Sequence, residues 1–266
     1  MVANARPVER LPAADSLSPA PHPRAAPRRR GALRHAGRSA RSKAEGIVSG
    51  SLPAGLALFA KMPVPGRVKT RLAPPLSPEE AAAVALACLQ DSLERFSRSR
   101  DVSMTLYLEG APDEALLAFA ERHAVPVRPQ APGSLGLRLR AALESLFAEG
   151  HPCALAIGSD SPTLPPARIG AAIGALRAHD AVLGPTEDGG YYLLGVSRPA
   201  WALLENVPWS TANVAQVTRQ RAADAGISLA ELEAWYDVDD EATLRRALAD
   251  SDPRSALGVW GSRTRT

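Results

Sequence analysis

The sequence predicts an α/β fold, a mostly parallel β-sheet with helices on both faces. Three observations carry this expectation. Short continuous apolar runs recur, as in strands buried on both sides. Segments of about 10–16 residues with helical periodicity separate them. The alternation fills residues 52–250, about 200 residues, a length that suits one domain of this kind.

Each element follows in order. Leu56-Ala57-Leu58-Phe59-Ala60 reads as the first buried strand. After a polar loop, Ser77-Pro78-Glu79-Glu80 has the pattern of a capping box with proline at the first helical position. The helix it opens carries Val84, Cys88 or Leu89, Leu93 and Phe96 at helical spacing. Val102 to Leu108 is expected as a second strand, Pro112 to His123 as a second helix, and Val125-Pro126-Val127 as a short strand. A third helix over about 135–148 aligns Leu135, Leu139, Leu143, Leu146 and Phe147, and Gly150 stops it. Ala154 to Ile157 is another buried strand, followed by a helix through Ile169, Ile173 and Leu176. Ala181-Val182-Leu183 continues the sheet, and Tyr191 to Val196 adds a strand after a Gly-Gly turn. Helices at about 211–225 and 240–249 flank a strand near Ile227 to Leu232, and residues 251–266 read as a polar tail.

Composition narrows the function classes. With 45% apolar and 22% charged residues the chain is neither disordered throughout nor fibrous. No apolar run approaches the roughly 20 residues that span a bilayer. Two cysteines, Cys88 and Cys153, both in apolar stretches, form neither a zinc site nor a disulfide scaffold and suit a reducing cytoplasm. The net charge of +3 conceals an asymmetry. Residues 1–50 hold 10 Lys and Arg against 3 acids, while 51–266 hold 21 against 25. The basic excess therefore belongs to the first segment, and nucleic acid is not expected as a partner of the domain. Residues 1–51, rich in Pro, Ala and Arg and without an aromatic residue, are expected to be disordered. A start called upstream of the true one, an organelle-type leader and a nucleic-acid-binding arm around Arg28-Arg29-Arg30 are the competing readings of that segment.

In open parallel sheets ligands bind beyond the carboxyl ends of the strands, and three loops there are unusual. The first, Lys61-Met62-Pro63-Val64-Pro65-Gly66-Arg67-Val68-Lys69-Thr70-Arg71, sets four cations and a glycine in a loop stiffened by proline. Fixed positive charge and close backbone approach suit a polyphosphate; a solvated basic turn is the plainer reading. The second, Gly158-Ser159-Asp160-Ser161-Pro162, ends a buried strand on a carboxylate. Asp160 there suits Mg²⁺ or Mn²⁺ held against phosphate oxygens, or else an N-cap. The third, Gly184-Pro185-Thr186-Glu187-Asp188-Gly189-Gly190-Tyr191-Tyr192, offers Glu187 and the ligand or base Asp188 ahead of two glycines. A simple hairpin turn also explains the glycines.

Weaker signals accompany these. Asp239 is either a second metal carboxylate or part of a helix cap. Trp209, Ser210 and Thr211 line an acceptor side, unless Ser210 is only an N-cap. Gly136 lies in the first turn of a helix whose unpaired N–H groups suit an anion, although capping explains the same residues.

Taken together, FAKMPVPGRVKTRL, GSDSP, LGPTEDGGYYLLG, PWST and DVDDEATL, in this order, resemble a family of uncharacterised bacterial transferases of the GT-A fold. That family is catalogued as a domain of unknown function and as radical-SAM/selenodomain-associated transferases, and some members are described as glycosyltransferases of arsenosugar biosynthesis. More distantly, the chain is similar to guanylyltransferases acting on phospholactate and on molybdenum cofactor. The resemblance covers about 55–245. It implies a Rossmann-like nucleotide-diphospho-sugar transferase fold in which Lys61, Gly66, Lys69 and Arg71 contact nucleotide phosphates; the charge of the loop adds Arg67 to the expected nucleotide contacts. Asp160 would take the place of the metal carboxylate, with Asp239 completing the site, and Asp188, Gly189, Gly190 and Tyr191 would face sugar or acceptor. One departure stands out: the Asp-x-Asp of GT-A glycosyltransferases is Ser159-Asp160-Ser161 here.

The expected activity is cytoplasmic glycosyl transfer from a nucleotide-activated sugar to a small acceptor, assisted by Mg²⁺ or Mn²⁺, with Asp160, Asp188 and Lys69 in the catalytic roles. The alternatives are nucleotidyl transfer from an NTP to a phosphorylated small molecule and a nucleotide-binding module without turnover.

Overall fold

The computed structural model describes residues 52–264; the segment expected to be disordered, 1–51, lies outside them. Seven strands form one mixed sheet: β1 (Ala54–Lys61), β2 (Val102–Glu109), β3 (Val127–Pro129), β4 (Ala154–Gly158), β5 (Ala181–Pro185), β6 (Tyr191–Val196) and β7 (Leu229–Glu231). Their order is β3-β2-β1-β4-β6-β5-β7. Only β6 runs against the others, pairing antiparallel with both β4 and β5. The expected mostly parallel α/β sheet is therefore present.

Seven α-helices accompany the sheet: α1 (Pro78–Ser97), α2 (Glu114–Arg122), α3 (Leu135–Ala148), α4 (Pro166–Ala175), α5 (Val214–Asp224), α6 (Glu241–Asp250) and α7 (Ala256–Arg263). The capping box forms as the sequence requires: Ser77 Oγ accepts from the Glu80 amide, and the Ser77 amide donates to the Glu80 carboxylate. Alternation along β1 divides the core. Leu56 and Leu58 pack with Leu89, Leu93 and Phe96 of α1 and Ile169 of α4 on one face. On the other, Ala57 packs with Leu139, Leu143 and Leu146 of α3.

A third, smaller core lies beside these layers. It gathers Leu72, Val84, Cys88, Tyr236, Val238, Leu244 and Leu257. Leu72 belongs to a 3₁₀ turn, Thr70–Leu72, which periodicity did not reveal. Leu257 belongs to α7, which corrects the expectation of a polar tail at 251–266. The segment's two glycines mask the helix in the sequence. Those glycines serve close packing: a Cβ on Gly258 would lie 2.2 Å from the Asp252 carbonyl oxygen, and one on Gly261 would lie 2.4 Å from a Leu248 methyl. Asp91 of α1 completes the attachment, its two carboxylate oxygens accepting from the amides of Ala256 (2.6 Å) and Leu257 (3.0 Å).

Candidate active site

The sheet has a switch point at β1. The chain moves outward through β2 and β3, then crosses back to place β4 on the other side of β1. Such a crossing opens a crevice at the carboxyl ends of the central strands. The basic loop after β1 and the Ser159-Asp160-Ser161 loop after β4 therefore start side by side, joined by the Ser159 amide donating to the Phe59 carbonyl (3.0 Å).

Lys69 and Asp160 meet in this crevice. The Lys69 ammonium pairs with Asp160 Oδ1, stands 3.6 Å from Asp239 Oδ1 and donates to the Val238 carbonyl at 2.5 Å. Its side chain is 6% exposed, whereas those of Asp160 and Asp239 are 51% and 42% exposed. Burial works to lower the Lys69 pKa, but Asp160 above all, with Asp239, outweighs it and holds the ammonium above the ordinary lysine range. The backbone contributes too: Lys69 adopts a left-handed conformation (φ 48°) at the head of the 3₁₀ turn, whose Leu72 is fully buried. Arg71 NH1 lies 3.9 Å from Asp239 Oδ2, with its side chain exposed.

The third partner arrives on an extended segment after β7. Its buried residues, Tyr236 and Val238, alternate with Asp237 and Asp239 at the period of a strand. The Val238 amide donates to the Asp160 carbonyl (2.8 Å). Asp237 had not been singled out, although the alternation Tyr-Asp-Val-Asp carries the signal. It accepts a hydrogen bond from Ser161 Oγ. Burial, reinforced by the Asp160 charge, pushes its carboxyl up to about 7. A second acidic side chain thus reaches the loop that carries Asp160, through the neighbouring Ser161. Asp239 does not cap α6; Asp240 does, accepting from the Thr243 amide at 2.8 Å.

The remaining candidates divide. In the basic loop Lys61, Gly66 and Arg67 are exposed, and Gly66 has φ 73° with open space around its α-carbon. Gly136 is buried in the first turn of α3, where a Cβ would lie 2.6 Å from the Leu204 carbonyl oxygen and 3.1 Å from the Trp209 ring. Trp209 also meets the edge of Tyr191 (6.1 Å between centroids). Among the described residues the Tyr191 hydroxyl, which is buried, has no hydrogen-bond partner. These three residues form one packed wall rather than three separate contacts.

The loop between β5 and β6 is a hairpin, as its glycines allowed. Asp188 Oδ1 accepts from Thr186 Oγ1 and from the Gly190 amide (3.1 Å), so one oxygen shapes the turn. Gly189 has φ 91°, and its carbonyl accepts from the Ala215 amide at 3.0 Å, docking the hairpin on the start of α5. Glu187 turns to Arg246, whose NH1 donates to both carboxylate oxygens at 2.9 and 3.0 Å. Glu187 is thus held in a long-range pair, with its side chain still half-exposed. Ser210, in the left-handed region at φ 64°, is not an N-cap, since α5 begins three residues beyond Thr211. Thr211 Oγ1 donates to the Pro208 carbonyl (2.8 Å).

For a divalent ion, Asp160 and Asp239 supply two hard oxygen donors that converge on one point. Among the described residues no group of three or more His, Cys, Asp or Glu is arranged to hold a metal. Two carboxylates fit an ion that completes its shell with phosphate oxygens and water, the usual manner of Mg²⁺.

The sheet order, the crevice and the basic loop define the fold of the nucleotide-diphospho-sugar transferases. Residues 92–211 match the profile of a family described as an uncharacterized protein conserved in bacteria (DUF2064). The resemblance read from the motifs, to an uncharacterised bacterial family on this fold, therefore holds. The chain is similar, at 26% identity and a TM-score of 0.71, to a protein of Desulfovibrio desulfuricans G20 provisionally named a nucleotide-diphospho-sugar transferase; the likeness covers 80% of this chain and 95% of that one. It shares its fold with a 4-diphosphocytidyl-2C-methyl-D-erythritol synthase of Anaerococcus prevotii DSM 20548 at 13% identity and a TM-score of 0.52, over 75% of this chain and 98% of the other. No curated protein matches the sequence.

Proposed function

We propose that the protein is a glycosyltransferase that moves a sugar from a nucleotide-activated donor to a small acceptor. The observation that carries this reading is the meeting of Lys69 with Asp160 and Asp239 at the switch point of the sheet. The likeness to the Desulfovibrio protein supports a donor of the nucleotide-sugar class.

In this reading the exposed cations Lys61, Arg67 and Arg71 attract and orient the diphosphate, and Gly66 lets the loop backbone approach it. Asp160 and Asp239 are the residues that would hold Mg²⁺ or Mn²⁺, which when bound neutralises charge on the diphosphate leaving group. Asp188, fixed through Oδ1 by Thr186 and Gly190, presents its other oxygen to the acceptor hydroxyl and takes its proton. Trp209 and Tyr191 wall the acceptor side beside Gly136. The cytoplasm is the proposed compartment, supported by the two free, buried cysteines. Among the described residues no helix is long and apolar enough to cross a membrane.

The test is product analysis with a panel of nucleotide sugars, NTPs and small acceptors. Release of a nucleoside diphosphate from a nucleotide sugar supports the proposal. Pyrophosphate released from an NTP would assign nucleotidyl transfer instead. Thermal stabilisation by nucleotides without any product would mark a binding module.

A further inference from the structure

We infer that the Lys69 ammonium occupies the seat of the divalent cation, so that the protein without substrate binds a divalent ion between Asp160 and Asp239 only weakly. The inference rests on the assignment of these two carboxylates as the cation ligands, and not on which group is transferred.

Three features converge on it. The first is position. Lys69 Nζ pairs with Asp160 Oδ1 and lies 3.6 Å from Asp239 Oδ1, between the oxygens that would ligate the ion. The second is enclosure. Lys69 is 6% exposed while its partners are half-exposed, so the ammonium closes the inner side of the carboxylate pair and leaves their outer oxygens to solvent. A surface lysine answering a surface acid would show the reverse, with the long side chain the more exposed of the two. The third is anchorage. The ammonium also donates to the Val238 carbonyl at 2.5 Å, and its own residue is held in the left-handed region at the head of the 3₁₀ turn. An unstrained surface lysine needs neither. Leu72 and Val238, both fully buried in the third core, fix the two ends of this arrangement.

The charges then oppose double occupancy. An ammonium paired with Asp160, bonded to a carbonyl oxygen and 3.6 Å from Asp239 competes with a dication for the same carboxylate oxygens, because the two cations repel at that range. Lys69 is in this account a place-holding cation, and it decides whether metal alone can enter.

The experiment titrates Mn²⁺ alone into the full chain and counts bound ion by electron paramagnetic resonance, with folding checked by circular dichroism. Wild-type protein is expected to bind Mn²⁺ weakly at this site. Lys69→Met, which keeps the length and removes the charge, should gain one site about tenfold tighter or more. Lys69→Arg should behave like wild type, and the double variant Lys69→Met with Asp160→Asn should lose the gain. A tight site in wild type overturns the inference without any variant. So does a Lys69→Met variant that binds no tighter, a gain as large in Lys69→Arg, or a gain that survives Asp160→Asn. Should Lys69→Met not fold, Lys69→Gln replaces it. Because no sugar or nucleotide enters the assay, it can fail while glycosyl transfer stands, and transfer can fail while it succeeds.

Discussion

Asp160 and Val238 are joined through the main chain: the Val238 amide donates to the Asp160 carbonyl at 2.8 Å, and the Val238 carbonyl accepts from Lys69. The loop after β4 and the segment after β7 are thus stitched by backbone groups that survive any side-chain substitution, whereas the loop after β1 reaches that segment through the Lys69 side chain. Changing the Asp160 side chain should therefore alter chemistry more than architecture.

Asp160→Asn follows directly. Its side chain is half-exposed, so the fold should persist, with far-ultraviolet circular dichroism unchanged. Preorganised charge at a developing anion contributes on the order of 10²–10³ in rate, and kcat for transfer should fall by about that factor in a steady-state assay.

Gly189→Ala and Gly66→Ala separate conformation from packing. Both glycines have positive φ, 91° and 73°. A Cβ on Gly189 would lie 2.0 Å from the Ala212 carbonyl oxygen, whereas one on Gly66 meets nothing within 4 Å. Urea denaturation should show Gly66→Ala losing about 1 kcal/mol from backbone strain alone. Gly189→Ala should lose about 3 kcal/mol or more, with the hairpin released from α5.

Asp91→Ala tests how α7 is attached. It leaves the amides of Ala256 and Leu257 without their acceptor in a mostly buried setting. A loss of about 1–3 kcal/mol is expected, with faster amide exchange at residues 256–258 than in the parent protein.

Cys88 gives a pH dependence whose sign is fixed. Burial pushes its thiol up to about 12 from the ordinary 9.0, against the opposing pull of Lys69. Between these values the unfolded chain has lost a proton that the native state retains. Stability contributed by this group is therefore full below pH 9 and declines as the pH rises toward 12, by at most about 1.4 kcal/mol per unit. Denaturation at pH 8 and pH 10 should show a smaller decline in Cys88→Ala than in wild type. Equal declines would remove the thiol as the cause.

How far the sequence reached can be seen residue by residue. The apolar run at Leu56 to Ala60, the Ser77 capping box and the leucines of α3 name their own elements, because burial periodicity and caps are local properties of the chain. The same locality placed Lys69, Asp160 and Asp188 at strand ends. The ion pair of Glu187 was not legible because Arg246, its partner, lies in α6. The helix within 251–264 was not legible because the contacts that hold it, Asp252 against Gly258, Leu248 against Gly261 and Asp91 at its start, are tertiary. Asp237 was not legible because its partner, Ser161, lies on the loop after β4. Sequence alone determined which faces are apolar, where strands stop and which loops carry charge. Only the tertiary structure decided that Lys69 lies between Asp160 and Asp239, because that depends on the crossover from β3 to β4 and on the return of the chain after β7, and a local pattern records that a face is buried without recording what covers it.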